Sequence, residues 1–259
     1  MKFLMCDPKY FNVEYSINPW MKPEKGVNKI VAVKQWKNVR NKLEELGASV
    51  VEVDPAPGLP DMVFAANAGI VHKGEVVISN FRHRERRPEH RAFKKWFLNN
   101  GYIVHTLPGY FTFEGRGDCF VWEDYLIGAW GFRSDEDVIQ HTADLLGLKP
   151  ITLKLKDPRF YHLDTCMSVL KSAGFGLYYP GAFWPEEISK LPFDLLPVSE
   201  EDAKNFVCNN INVGSDIIMT QPSQALQDGL EAEAFHIHPV NTGEFIKSGG
   251  SARCMVLEV

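Results

Sequence analysis

The sequence predicts an α/β fold assembled from recurring units of hairpin, helix and further strand. Three observations point there. Short apolar runs come in pairs across tight turns, beginning near residues 62, 118, 163 and 206. Stretches with helical spacing stand between them. The last apolar run, Ala252–Val259, has no partner after it, so its natural partner is the first run, Lys2–Cys6. A fifth hairpin then joins the two chain ends. Each period of about 45–55 residues suggests units that bury their faces against one another, as in radial repeats. Residue identity barely recurs, and an ordinary α+β domain with many hairpins fits the same pattern.

The elements follow in chain order. Asn28–Leu46 carries Ile30, Val31, Val33, Trp36, Val39, Leu43 and Leu46 at helical spacing and stops at Gly47. Ala48–Val53 reads as a strand. Met62–Ala66, Ile70–His72 and Glu75–Ser79 read as strands, the last two turned by Lys73-Gly74. Pro88–Leu98 reads as a helix, with proline near its first turn and Gly101 after its end. Asp118–Trp122 pairs with Tyr125–Trp130 across Glu123-Asp124. Ser134–Leu146 opens on Ser-Asp-Glu-Asp, a helix cap with acids in the first turn, and ends at Gly147. Leu163–Leu170 pairs with Gly176–Tyr179, and Phe206–Asn212 with Asp216–Thr220 across Val213-Gly214. Pro222–Leu230 is a shorter helix. No linker or low-complexity tract divides the chain, so residues 1–259 are expected to form a single domain.

Composition narrows the function classes. The chain has 259 residues, 45% of them hydrophobic, which is enough for a substantial core and excludes intrinsic disorder. A formal net charge of −5 argues against general nucleic-acid binding, which needs a basic face. No apolar window is long enough to span a membrane, and the start, MKFLMCDPKY, turns polar too soon for a secretory signal. Five cysteines fit a reduced, cytoplasmic protein better than a disulfide framework.

Reactive residue types collect near the hairpin starts. Asn67 follows the first strand of its unit, Phe113-Glu114-Gly115-Arg116-Gly117-Asp118 opens the second hairpin, and Tyr161-His162-Leu163-Asp164 opens the third. Gly249-Gly250-Ser251-Ala252-Arg253-Cys254 opens the last. If the hairpins surround one axis, these starts converge in one pocket. Cys254 is the nucleophile candidate, since the glycines before it let backbone approach a ligand closely. The bland alternative is a buried small hydrophobe, which also fits Cys6, Cys119, Cys166 and Cys208 in their apolar runs. His162 is an acid–base candidate, and on a strand it would share a face with Asp164. A hydrogen-bonded surface pair is the alternative. Glu114 and Asp118 offer two carboxylates to orient a histidine and grip a cation, against plain turn chemistry. His236 and His238 alternate in the same way, but no third ligand stands at credible spacing, so no metal is expected. The glycines form no phosphate loop. The basic run Phe81–Arg87 reads either as a solvated face or as an anion clamp.

Taken together, these motifs resemble the guanidino-group-modifying superfamily, the penteins. The resemblance runs through Met5-Cys6-Asp7-Pro8, Ile17-Asn18-Pro19-Trp20-Met21, Phe64-Ala65-Ala66-Asn67-Ala68-Gly69, Phe113-Glu114-Gly115, His162-Leu163-Asp164 and the terminal Gly-Gly-Ser-Ala-Arg-Cys254. It implies a five-bladed pseudosymmetric α/β propeller of ββαβ repeats, the fifth blade closed by the N- and C-terminal strands. It also implies that Cys254, His162 and Glu114 are catalytic and that Asp164 binds the guanidinium. Arg86 and Arg133 match the family's carboxylate-binding arginines, and Asn18 matches an asparagine in the substrate site. Deiminases and dimethylargininases of the family usually carry aspartate where this chain has Asn67, whereas arginine dihydrolases carry asparagine. The Asn-Pro-Trp-Met opening is similar to the dihydrolases too.

The resemblance therefore implies hydrolysis of L-arginine or a derivative through a thiouronium on Cys254, with two rounds giving ornithine, carbon dioxide and two ammonia. A one-round deiminase or dimethylargininase, an amidinotransferase and a non-catalytic arginine-binding protein are the alternatives. An amide at Asn67 offers both donor and acceptor, which lowers the preference for a cation and favours retention of the neutral ureido intermediate. No cofactor is implied. Relatives often form homo-oligomers, and the Asn12–Lys25 segment is a candidate lid.

Overall fold

The computed structural model describes residues 1–259. Strand β1 (Lys2–Cys6) is followed by helix α1 (Lys29–Glu45) and strand β2 (Ser49–Val53). The next unit is β3 (Gly69–His72), β4 (Glu75–Ile78), helix α2 (Glu89–Asn99) and β5 (Ile103–Thr106). It is succeeded by β6 (Cys119–Trp122), β7 (Tyr125–Trp130), α3 (Glu136–Leu146) and β8 (Lys149–Lys154). A third such unit holds β9 (Met167–Leu170), β10 (Phe175–Tyr178), the single-turn α4 (Pro185–Ile188) and β11 (Asp194–Pro197). Short helix α5 (Glu200–Lys204) leads into β12 (Ile211–Val213), β13 (Asp216–Met219), α6 (Gln224–Ala232) and β14 (His236–Pro239). A last turn, α7 (Gly243–Ile246), precedes β15 (Leu257–Glu258).

These strands make five separate three-stranded sheets with one topology. In four of them consecutive strands pair antiparallel, and the helix then carries the chain to a third strand parallel to the second. The fifth sheet takes its first strand from the other end of the chain. There β15 lies antiparallel to β1, with Phe3 opposite Glu258, and β1 lies parallel to β2. Residues from the first strand of every sheet line one common cavity. The ββαβ propeller closed by the two terminal strands is thus the fold, and the α+β alternative falls away.

Helix α1 is set by its caps. The Asn28 side chain accepts from the Val31 N–H at 3.2 Å, and Gly47 takes the left-handed conformation beyond its end. Its buried face is Ala32, Gln35, Trp36, Val39 and Leu43, packed on Phe3, Met5 and Phe245. Ile30, read above as part of that face, is 85% exposed. Two residues before Ala32, it lies almost opposite on a 100° wheel.

Helix α3 starts at Glu136 rather than Ser134. The Ser134 hydroxyl is diverted to Asp118, and the Asp135 carboxylate accepts from Arg82 and from the Thr112 N–H. Neither side chain is left to cap the helix.

Four predicted strands are shorter or absent. Met62–Ala66 is not a strand, because Pro60–Val63 and Ala65–Ala68 form tight 3₁₀ turns. Leu163–Thr165 and Arg253–Met255 are also 3₁₀ turns, so those strands begin only at Met167 and Leu257. Phe206–Asn210 is a turn before Ile211, and Phe206 itself has a positive φ of 60°. In each case a turn aims polar residues toward the axis while its apolar residues stay buried. The alternation of apolar residues cannot separate that from a strand.

Candidate active site

The turns before the five first strands meet near the axis. Ala65–Ala68 touches both Gly115–Gly117 and Arg253–Met255, and Gly115–Gly117 touches Leu163–Thr165. Backbone packs on backbone at one of these junctions. A β-carbon added to Gly115, at φ +57°, would lie 2.6 Å from Gly69 backbone atoms. The remaining turn, before Ile211, joins through Asn209.

Cys254 is 2% exposed and its thiol sits in a polar cradle. The Asn209 amide donates to Sγ at 3.1 Å, and the Asp164 carboxylate oxygens lie 3.6 and 3.8 Å away. The same Asn209 nitrogen donates to the Asp164 carbonyl at 2.9 Å. Its oxygen accepts from the Ser251 and Cys254 N–H groups at 3.1 and 3.2 Å. Those two donors fix which way the amide faces. Burial, then the Asp164 charge, pushes the Cys254 thiol well above its ordinary range. Burial raises the other four thiols as well. Neighbours, rather than acidity, set Cys254 apart.

His162 is 1% exposed and its Nε2 lies 2.8 Å from Glu114 Oε2. The same carboxylate oxygen accepts from Arg133 at 2.7 Å, and the Arg82 N–H donates to the other at 3.3 Å. Burial alone would raise Glu114; Arg133 and the His162 hydrogen bond overcome it and hold the carboxyl below the usual range. Burial drops His162 to about 4; Glu114 opposes the drop, and the charges of Arg133 and Arg86 add to it. At neutral pH the protein's own groups therefore leave the imidazole and the thiol neutral.

The expectation that His162 and Asp164 share a strand face is corrected. The chain enters a 3₁₀ turn at Leu163, so His162 turns to Glu114 and Asp164 to Cys254. Burial lifts the Asp164 carboxyl to about 6, with Arg116 and Arg253 opposing it. Asp118 lies behind Glu114, where its Oδ2 accepts from the Ser134 hydroxyl at 2.6 Å; that hydroxyl in turn accepts from the Glu114 N–H at 3.0 Å.

Asn67 is 2% exposed. Its oxygen accepts from Arg86 at 2.8 Å and its nitrogen donates to the Glu114 carbonyl at 3.3 Å. Arg86 grips Glu89 with two hydrogen bonds of 2.8 Å and lies 4.7 Å over the Phe81 ring. Arg133 lies 4.5 Å over the Tyr161 ring and donates to the Ile17 carbonyl. The basic run thus divides: Arg86 enters the site, whereas Arg84 is exposed beside Glu85. Asn18 donates to the Ser248 carbonyl and accepts from the Trp20 and Met21 N–H groups.

Asn18, Asn67, Arg86, Arg133 and Cys254 line one cavity of about 10 Å³, roughly the space of a single water. Asp61, absent from the sequence reading, lines it too, held by the Tyr15 hydroxyl at 2.7 Å and the Ser248 hydroxyl at 3.3 Å. Ile17 and Met21 bring the Asn12–Lys25 segment into the lining, and Trp20 pins it by donating to the Arg159 carbonyl at 2.7 Å. Asn209 was also missed, although it occupies the pre-hairpin position of its unit. His236 and His238 lie elsewhere, His238 at 2.6 Å from Asp216 on the neighbouring strand.

Comparison with known proteins agrees with this fold. Residues 7–259 match the family model described as N,N dimethylarginine dimethylhydrolase, eukaryotic. The bifunctional arginine dihydrolase/ornithine cyclodeaminase AgrE of Nostoc sp. is 42% identical over 100% of this chain, which spans 38% of that protein's length. The N(G),N(G)-dimethylarginine dimethylaminohydrolase of Mycobacterium tuberculosis is 36% identical, over 100% of this chain and 85% of its own. Among solved structures, the N-terminal domain of ArgZ superposes with a TM-score of 0.94 at 40% identity, covering 99% of this chain and 96% of that one. That structure is an asparagine-to-serine variant covalently bound to a reaction intermediate. ArgZ of Synechocystis sp. is likewise a bifunctional arginine dihydrolase/ornithine cyclodeaminase. The chain belongs to the dimethylarginine dimethylhydrolase family of the pentein superfamily, near its arginine dihydrolase branch.

Proposed function

We propose that residues 1–259 form one catalytic unit that hydrolyses L-arginine to ornithine, carbon dioxide and two ammonia through a covalent intermediate on Cys254. The observation that carries this reading is the thiol held by Asn209 and Asp164 within the same cluster of turns as the His162–Glu114 pair.

The charges explain how the reaction would start. Arginine brings a guanidinium that is always protonated. Placed beside Cys254, that cation offsets the burial that holds the thiol neutral. His162, held neutral by burial, takes the thiol proton, and Glu114 supports the resulting imidazolium at 2.8 Å. The thiolate adds to the guanidinium carbon, the bond to a terminal nitrogen breaks, and ammonia leaves with the proton from His162. Water, deprotonated by His162, then displaces the thiol and leaves citrulline. A second passage splits the ureido carbon off as carbon dioxide with another ammonia. Two waters are consumed in all. The α-carboxylate finds Arg86 and Arg133, and the α-ammonium finds Asp61, all on the same small cavity. That cavity must widen to admit arginine, so the Ile17–Met21 stretch is expected to shift on binding.

Asn67 and the similarity to AgrE and ArgZ favour two rounds. The similarity to the M. tuberculosis dimethylargininase supports the second reading, a single round on methylated arginine. The five free cysteines and the net charge of −5 favour work in the cytoplasm on a small molecule rather than on nucleic acid.

Acid-quenched arginine carrying labelled guanidino carbon tests the covalent step. Label is expected on the peptide containing Cys254 and absent from Cys254→Ser. Label on another cysteine, or none while product forms, would overturn the mechanism.

A further inference from the structure

We propose that the large axial cavity on the far side of Asp164 is a binding site for a small oxyanion, held by Arg116 and Arg253. The cavity measures about 820 Å³, the size of small-molecule sites, and is lined by the first strands of all five sheets. Arg253 lines it while only 3% exposed. One of its terminal nitrogens lies 3.2 Å from a Glu258 oxygen as an ion pair, but Nε and Nη2 find no acceptor in the protein. A buried guanidinium with two idle donors is costly unless an acceptor arrives.

Arg116 shares the cavity, stacked 5.6 Å from the Phe120 ring. Burial, then its neighbour Arg253, lowers it to about 10, so two guanidiniums repel one another across the same space. Lys171 and Lys73 add positive charge to the lining, whereas Glu258, Glu123 and Asp164 are the acids. The planar fork of arginine matches a carboxylate or phosphate edge. Neither arginine enters the chemistry proposed for Cys254.

The site also has a route to the thiol. Asp164 lines this cavity and lies 3.6 Å from Cys254 Sγ. Arg116 and Arg253 favour its charged form. An oxyanion between them cancels that field and raises Asp164 further.

Equilibrium dialysis of the full chain with labelled inorganic phosphate tests the proposal, with succinate as competitor to separate carboxylate from phosphate ligands. One saturable site per chain is expected. Arg116→Gln should weaken it by about tenfold, the value of one charge-assisted contact. Lys204→Gln, on the surface, should not change it, and L-arginine should not displace the anion. Arg116→Lys, which keeps the charge and loses the fork, serves if Arg116→Gln fails to fold. No saturable binding of phosphate or succinate, unchanged binding in Arg116→Gln, or displacement by L-arginine would overturn the site.

Discussion

Asn209 joins three turns with one side chain, because its oxygen and nitrogen each serve two partners. Asn209→Ala strands the buried Ser251 and Cys254 N–H groups and removes the donor on Sγ. Calorimetry is expected to record a loss of about 2–3 kcal/mol, and alkylation of Cys254 should change with it. An unchanged melting temperature would deny the amide this bracing role. Asn67 is expected to control the fate of citrulline. Asn67→Asp should release it in quantity, and ornithine without citrulline from that variant would remove the amide from the explanation. His162 yields a pH prediction. Its folded value near 4 lies below the ordinary 6.5, so the unfolded chain binds more protons between those values. The residue therefore costs nothing above about pH 6.5 and destabilises increasingly as pH falls toward 4. His162→Gln removes that penalty. Relative to wild type it should gain on the order of 3 kcal/mol between pH 7 and pH 4 in urea titrations. Cys254, His162 and Glu114 stood out in the sequence because reactive types before hairpins are conspicuous. Asn209 and Asp61 did not, since an amide and a carboxylate in turn-rich segments look like ordinary turn chemistry.

At the scale of elements, the hairpins were readable because tight turns such as Lys73-Gly74 sit between apolar runs, although the turn expected at Val213-Gly214 falls one residue later, at Gly214-Ser215. The segments before them were misread as strands. Residues such as Met62–Ala66 are buried on every side, and a fully buried turn has no polar face to betray it. These turns, rather than the strands, carry the site, and their close packing makes them intolerant of added atoms. Gly115→Ala combines a positive φ with a collision against Gly69. It should cost at least about 2 kcal/mol and disturb Glu114 next to it. A variant as stable as wild type, with Glu114 still on His162, would show that the junction yields easily.

The whole molecule is five copies of one plan, and the ring closes only because β15 pairs with β1. Closure places Cys254, at one end of the chain, against Asp164 and Asn209 from two other units. Two of the cavities it leaves differ in size, one nearly filled and lined by the thiol with Arg86 and Arg133, the other wide and lined by Arg116 and Arg253. The hairpin count and the unmatched terminal run gave away the circular plan, whereas the separation of the cavities depends on turn geometry that periodicity does not encode. The central claim is that this assembly carries arginine through two hydrolyses without letting the intermediate go. Its most direct test is a product assay on purified protein with L-arginine, measuring ornithine, citrulline and ammonia together. Two ammonia per ornithine, with no free citrulline, is the predicted result. One ammonia per citrulline, with no ornithine, would contradict it.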